Sequence, residues 1–281
     1  MSETDPSIES GEYWDEAAAG WRRHGELLRT YTAPVSSWLV DAIDPRPGQR
    51  VLELAAGLGE ISLLVAARVA PHGVAVCSDR SEAMLAAARE RAEQVGVENV
   101  EFTVLDAEWI DLPVASVDAV ICRWGYMLVT HPDSALRETR RVLRPGGAVA
   151  LAVWDAQELN PWSAVPTGVM RERGLLAAPE PGSPGPFALG DAQTLRDLLE
   201  QAGFQEVRIE ALDFEEVQPD FDSYWETRLD FSRILHDAVL SQPAAEIAEI
   251  RAEVERRLAP YTAPDGGLAI PARTLVAAAS A

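Results

Sequence analysis

An apolar run that ends on an acid and continues in small residues has given up side-chain packing at that end. Residues 51–60, VLELAAGLGE, do this: Glu53 closes the run, and Ala55, Ala56, Gly57 and Gly59 follow. Such a turn lets a ligand approach the backbone, and the helix it feeds points free amide groups at the same spot. Glycines at 55, 57 and 60 would make the nicotinamide-dinucleotide fingerprint. Those positions hold Ala55, Gly57 and Glu60, so one of three fits. A pyrophosphate would also be repelled by Glu53 and Glu60. A ligand carrying positive charge suits them better.

Other candidates lie at the ends of later apolar runs. Asp79 closes GVAVCSD, and Arg80 and Ser81 follow it. Asp79 could serve only to start the next helix, but Ser81 is the better cap. Met84, one turn into that helix, reads as ligand surface or as plain core. Asp106 and Ala107 close VEFTVLD, in a stretch whose polar turn formers need no ligand. Arg123, Trp124, Gly125 and Tyr126 follow VDAVIC, with Arg123 equally readable as a structural ion-pair partner. For a general base the chain offers His24, His131 and His236, while His72 sits in a turn at the opposite end; none has a carboxylate at readable spacing. Trp14, Trp21, Trp162 and Trp225 could line an apolar pocket and face a cation, or could belong to the core.

The elements that must hold these residues alternate. RVLELA, GVAVCSD, VEFTVLD and VDAVICRW read as strands, separated by helices over 61–69 and 82–95; a helix from Asp133 leads through RPGG to a fifth strand, AVALAVW. Apolar strands between helical patterns specify a parallel sheet covered on both faces. Residues 11–43 read as two helices, 191–202 as an amphipathic helix stopped by Gly203, FQEVRIEAL as a sixth strand, 220–260 as helix and LAIPARTLVAAAS as a closing strand. PEPGSPGP, residues 179–186, is a loop by composition.

A length of 281 residues suits one domain with elaborations. The formal charge of −21 argues against nucleic-acid or anionic-lipid partners, which need clustered cations. All 24 basic residues are arginine. Cys77 and Cys122 read as buried free thiols of a cytoplasmic protein. Residues 1–10 are acidic and polar, which predicts a disordered leader and no signal peptide, and no run reaches the length of a membrane span.

Taken in order, these motifs resemble the class I S-adenosylmethionine-dependent methyltransferases, in the small-molecule branch that includes the ubiquinone and menaquinone methyltransferases. The family's first motif, an acid followed by G-x-G-x-G, stands here as Glu53, Ala55, Gly57 and Gly59. The resemblance implies that Asp79 holds the ribose hydroxyls, that Asp106 with Ala107 meets the adenine amine, and that RVLRPGG precedes the fifth strand. Arg80, Met84 and Arg123 join this cofactor set. It places the transferred methyl and the acceptor near Arg123 and Tyr126, with His131 and His24 as further catalytic candidates. It implies a Rossmann-like α/β sheet of order 3-2-1-4-5-7-6 with the last strand antiparallel, as one domain over 11–281. The core would be 45–155, 191–212 and 267–279; 11–43, 155–190 and 213–265 would form a helical lid. The expected activity is methyl transfer to a small apolar or aromatic acceptor, on oxygen or carbon, by a monomer or homodimer without metal. The alternatives are a non-methylating member, either binding module or cyclase-like enzyme, and a nicotinamide-dependent oxidoreductase. Ala55 departs from the motif's first glycine; it is expected to take an ordinary dihedral, its methyl only narrowing the pocket.

Overall fold

Capping residues and glycines set the ends of the elements. In the computed structural model, which describes residues 10–281, the Ser10 hydroxyl accepts from the Tyr13 amide at 3.1 Å and starts α1 (Gly11–Arg23). The rest of the leader expected over 1–10 lies outside the described residues. α2 (Gly25–Ile43) follows after His24 alone. Next come β1 (Arg50–Leu54), α3 (Glu60–Val69), β2 (Val74–Asp79) and α4 (Glu82–Val95). The Ser81 hydroxyl caps α4 by accepting from the Met84 amide at 3.1 Å, and Gly96 ends it in the left-handed conformation. β3 (Val100–Val104), β4 (Val117–Arg123), α5 (Pro132–Val142) and β5 (Leu143–Trp154) complete the regular alternation. After α6 (Pro161–Glu172) and α7 (Ala192–Gln201), β6 (Gln205–Gln218) leads to α8 (Phe221–Phe231), α9 (Arg233–Leu240), α10 (Ala244–Leu258) and β7 (Leu268–Ser280).

The seven strands stand in the order β3-β2-β1-β4-β5-β7-β6, and β7 runs antiparallel to both its neighbours. On one face Leu52, Val120 and Leu151 pack with Leu136 of α5 and Leu195 and Leu199 of α7. On the other, Val51, Ile121 and Ala150 meet Val35 and Leu39 of α2 and Ile61 and Val65 of α3. Both faces are dry, which is why the strands read as unbroken apolar runs rather than alternating ones.

β6 is longer than the sequence suggests, ending at Gln218 rather than Leu212. Its alternation continues through Asp213–Gln218, but Glu216 and Gln218 occupy the buried positions where an apolar residue is expected. The extra length pairs with Leu268–Arg273 of β7, whereas β5 meets β7 only from Thr274 onward. The β6–β7 ribbon therefore overhangs the sheet. A separate apolar cluster hangs on it, joining Leu268 and Ile270 to Tyr224 of α8, Leu235 of α9, Ile250 and Val254 of α10 and Met170 of α6.

Candidate functional site

The carboxyl ends of β1, β2 and β4 open into a cavity of about 110 Å³ beneath α1 and α2. The turn after β1 is built from three left-handed residues: Ala55 at φ 51°, Gly57 at 54° and Gly59 at 72°. The ordinary dihedral expected of Ala55 is thus corrected. The chain must reverse within four residues, with the Ala56 amide bonded to the Ser78 carbonyl and the Gly59 amide to the Ala56 carbonyl. That conformation costs an alanine about 1 kcal/mol. Its methyl faces Gly125, where a Cβ would stand 2.6 Å from both Ala55 Cβ and Cys122 Sγ. Gly57 differs: a Cβ there would meet nothing within 4 Å, so its backbone is bare toward the cavity. Gly59 faces away from the cavity; a Cβ there would meet Ala88 at 2.8 Å, so it permits α3 and α4 to approach.

Glu53 and Asp79 both line this cavity and both are buried. Glu53 accepts from the Ser62 amide at 2.7 Å and from the Ser62 hydroxyl, so it also caps α3. Desolvation is the largest effect on it and pushes its carboxyl up to about 7. Asp79 accepts from the Gly57 amide at 2.8 Å with one oxygen and from the Ser81 amide at 2.9 Å with the other. Burial raises its pKa too, against these bonds.

Arg123 lines the cavity and acts as an ion-pair partner. Its guanidinium bonds Glu60 at 2.6 Å, Ser36 at 2.7 Å and Thr32 at 2.8 Å, tying α2 and the start of α3 to the end of β4. The other Glu60 oxygen, Oε1, is buried without a partner. Arg80, Met84 and Ala107 also face the cavity. Asp106 does not; it is held at the surface by Arg80 at 3.0 Å and by the Glu108 amide at 2.9 Å.

Next to this space lies a cavity of about 610 Å³ under α6, α8 and the 176–188 loop. The two share Trp14, Trp21, Leu28, Trp124 and Leu128, so they adjoin across these side chains. Trp124, itself left-handed at φ 60°, stacks on Trp154 at 4.2 Å and 11°, and its indole nitrogen donates to Thr274 at 3.1 Å. Phe214 and Trp162 extend this aromatic wall. Of the four tryptophans singled out in the sequence, Trp14, Trp21 and Trp162 line the crevice, and Trp225 lies in the apolar cluster on the overhang.

The other catalytic candidates are not brought to the crevice. Tyr126 is fully buried, its hydroxyl 2.5 Å from Thr139 Oγ1, because it fills the core beneath α5. His131 stands exposed at the start of α5 with its amide on Glu108. His24 does have a carboxylate partner: its Nε2 lies 2.7 Å from Asp230 of α8, 206 residues away and beyond any sequence spacing. His236 is paired with its neighbour Asp237 at 3.0 Å. The lining residues that sequence reasoning missed are Glu216, Arg228, Trp154 and Phe214. Phe214 and Glu216 follow the inward register of β6, whereas Trp154 ends β5 and Arg228 lies on α8. Among the described residues there is no cluster of His, Cys, Asp and Glu suited to a metal ion, and no helix is long and apolar enough to cross a membrane.

The sequence profile of a methyltransferase domain matches residues 45–171. The ubiquinone/menaquinone biosynthesis C-methyltransferase UbiE of Ralstonia pickettii is 34% identical over 171 residues, covering 58% of this chain and 70% of that protein. Among solved structures, the YcgJ protein of Bacillus subtilis superimposes with a TM-score of 0.58 at 16% identity, over 87% of this chain and 97% of that one. The [4+2]-cyclase SpnF does so at 0.58 and 17% identity, over 98% and 97%. At such identities the two structures speak for the fold alone.

Proposed function

The chain belongs to the class I S-adenosylmethionine-dependent methyltransferases, and from that premise we propose that it methylates a small apolar or aromatic acceptor, on oxygen or carbon. The observation that carries this reading is the adjacency of the two cavities: an acid-lined one beside bare backbone adjoins a larger one walled in part by Trp124, Trp154, Trp162 and Phe214. The residues fit the cofactor. Gly57 leaves space for it, Glu53 and the unpartnered Glu60 Oε1 suit an ammonium group, and Asp79 suits ribose hydroxyls. Met84, Leu105 and Ala107 supply apolar surface for the adenine. When bound, the cofactor supplies a methyl group on an already activated sulfonium leaving group.

The protein's share is alignment and exclusion of water. Trp14, Trp21 and Trp124 at the junction present aromatic surface, which tolerates a cation far better than aliphatic surface does. Holding donor and acceptor in line in a dry site can supply about 7–11 kcal/mol. Among the catalytic candidates read from the sequence, Arg123 lines the crevice but is committed to Glu60; its role is to fix the end of β4. We assign α1, α2, α6 and α8–α10 to the cover over the acceptor, and place the protein in the cytoplasm, as a monomer or homodimer, where Cys77 and Cys122 stay reduced.

The ribose role has a direct test. Asp79→Ala should weaken S-adenosylmethionine binding at least tenfold, about 1.4 kcal/mol, by calorimetry; an unchanged Kd removes that role. Incubation with a panel of phenols, quinols and amines should release adenosylhomocysteine for at least one class. Tight cofactor binding with no release for any acceptor would favour the cyclase-like or binding reading instead.

A further inference from the structure

Glycine weakens a helix relative to alanine, so a glycine inside one calls for a reason. α1 has two, Gly11 and Gly20. A Cβ on Gly11 would stand 2.9 Å from the carbonyl oxygen of Arg80, in the turn that follows Asp79. One on Gly20 would stand 2.8 Å from the carbonyl oxygen of Asp230 on α8. α1 therefore braces the turn at the end of β2 against the body hung on the ribbon. Between the two glycines the Asp15 carboxylate accepts from the Ser81 hydroxyl at 2.6 Å and from the Ala83 amide at 3.1 Å. The Ser81 amide in turn donates to Asp79 at 2.9 Å, so one residue links α1 to the carboxylate assigned to the ribose. α4 itself does not depend on Asp15. The Ser81 hydroxyl already caps it through the Met84 amide, and the Ala83 bond lies at the surface, where water can replace it. What the contact fixes is the seat of α1.

Building on the methyltransferase reading, we propose that Asp15 is a positioning residue: it seats α1 on the turn that carries Asp79, and so couples cofactor binding to the closing of α1. The helix has a reason to respond to an occupant. Of its side chains Tyr13 and Ala18 are buried, while Trp14 and Trp21 are half-buried and line the smaller cavity, so a molecule there adds to what holds α1 down. The coupling runs both ways. Whatever factor the cofactor contributes to the seated state of α1, the seated state contributes to cofactor affinity. Tyr13, Trp14 and Trp21 also line the larger cavity, so the same movement completes the wall on the acceptor's side.

Hydrogen exchange with and without adenosylhomocysteine, beside calorimetry of its binding, tests this. In the wild-type protein the ligand should slow exchange of the Ala17, Ala18 and Ala19 amides at least about tenfold. Asp15→Asn keeps an oxygen that accepts from Ser81 and Ala83, and should stay within about threefold of wild type in slowing and in Kd. In Asp15→Ala the slowing should drop below about threefold and the Kd rise at least about fivefold, while the Val120 amide exchanges as in wild type. Values for Asp15→Ala equal to wild type, or an Asp15→Asn protein as impaired as Asp15→Ala, overturn the role. Should Val120 exchange faster in Asp15→Ala, Gly11→Ala decides instead. It favours α1 as a helix yet crowds the Arg80 carbonyl, so it should show the same loss, and unimpaired binding and slowing there overturn the proposal. If the wild-type protein binds no adenosylhomocysteine, the methyltransferase reading fails; if it binds without slowing α1, only the role of Asp15 fails.

Discussion

At the scale of single residues, burial gives Glu53 a pH signature. Folding lifts its carboxyl to about 7, so the native state keeps a proton that the unfolded chain releases near the ordinary carboxylate value. A native state that binds more protons loses stability as pH rises. Stability should therefore fall between about pH 4.5 and 7, by roughly 3 kcal/mol, and be unaffected by this group above that range. Glu53→Gln should flatten the slope in urea titrations at pH 5 and 7.5; a slope equal to wild type assigns the loss to other groups. Glu53, Gly57 and Asp79 were legible in the sequence because the ends of apolar strands converge in a parallel sheet. The strain at Ala55 was not, since the φ of one residue depends on how sharply its neighbours must turn. Nor were the pairs His24–Asp230 and Arg228–Glu216, which lie on helices and a strand that only the fold brings together.

At the scale of elements, one side chain fastens the overhanging ribbon to the end of β5. Asn160 is buried and its amide nitrogen donates to the carbonyls of Asp155, Ala156 and Arg273 at 3.1–3.2 Å. Its oxygen accepts from the Arg273 amide at 2.9 Å and the Trp162 indole at 3.0 Å. Asn160→Ala strands several of these groups at once and should cost about 3 kcal/mol in denaturant unfolding; a loss under 1 kcal/mol would mean that water takes over those bonds. α1 is joined to α4 and its cap by polar contacts. Asp15 accepts from the Ser81 hydroxyl at 2.6 Å and the Ala83 amide at 3.1 Å, and Arg22 meets Glu90 at 2.5 Å. The core elements were readable because caps, glycines and apolar periodicity agree. The end of β6 was not, because acidic residues alternate there for reasons that only the chamber explains.

At the scale of the whole molecule, the apolar clusters divide the chain into a sheet core and a body hung on the ribbon. Units with separate apolar cores can open at different free energies. Native-state hydrogen exchange should find the amides of Ile250 and Val254 exchanging through a smaller opening than those of Val120 and Leu151. A single shared opening energy would show that the two clusters unfold together. The register adds a further consequence. Gln218 pairs with Leu268, so the 49 residues between them leave and rejoin the ribbon at neighbouring points, about 5 Å apart. Topologically the segment is a loop in a hairpin, so its length can change without altering the register of the strands that carry it. A foreign segment spliced at 218 and 268 would replace Arg228, Phe231 and Leu235 in the wall of the larger cavity and leave the turn after β1 untouched.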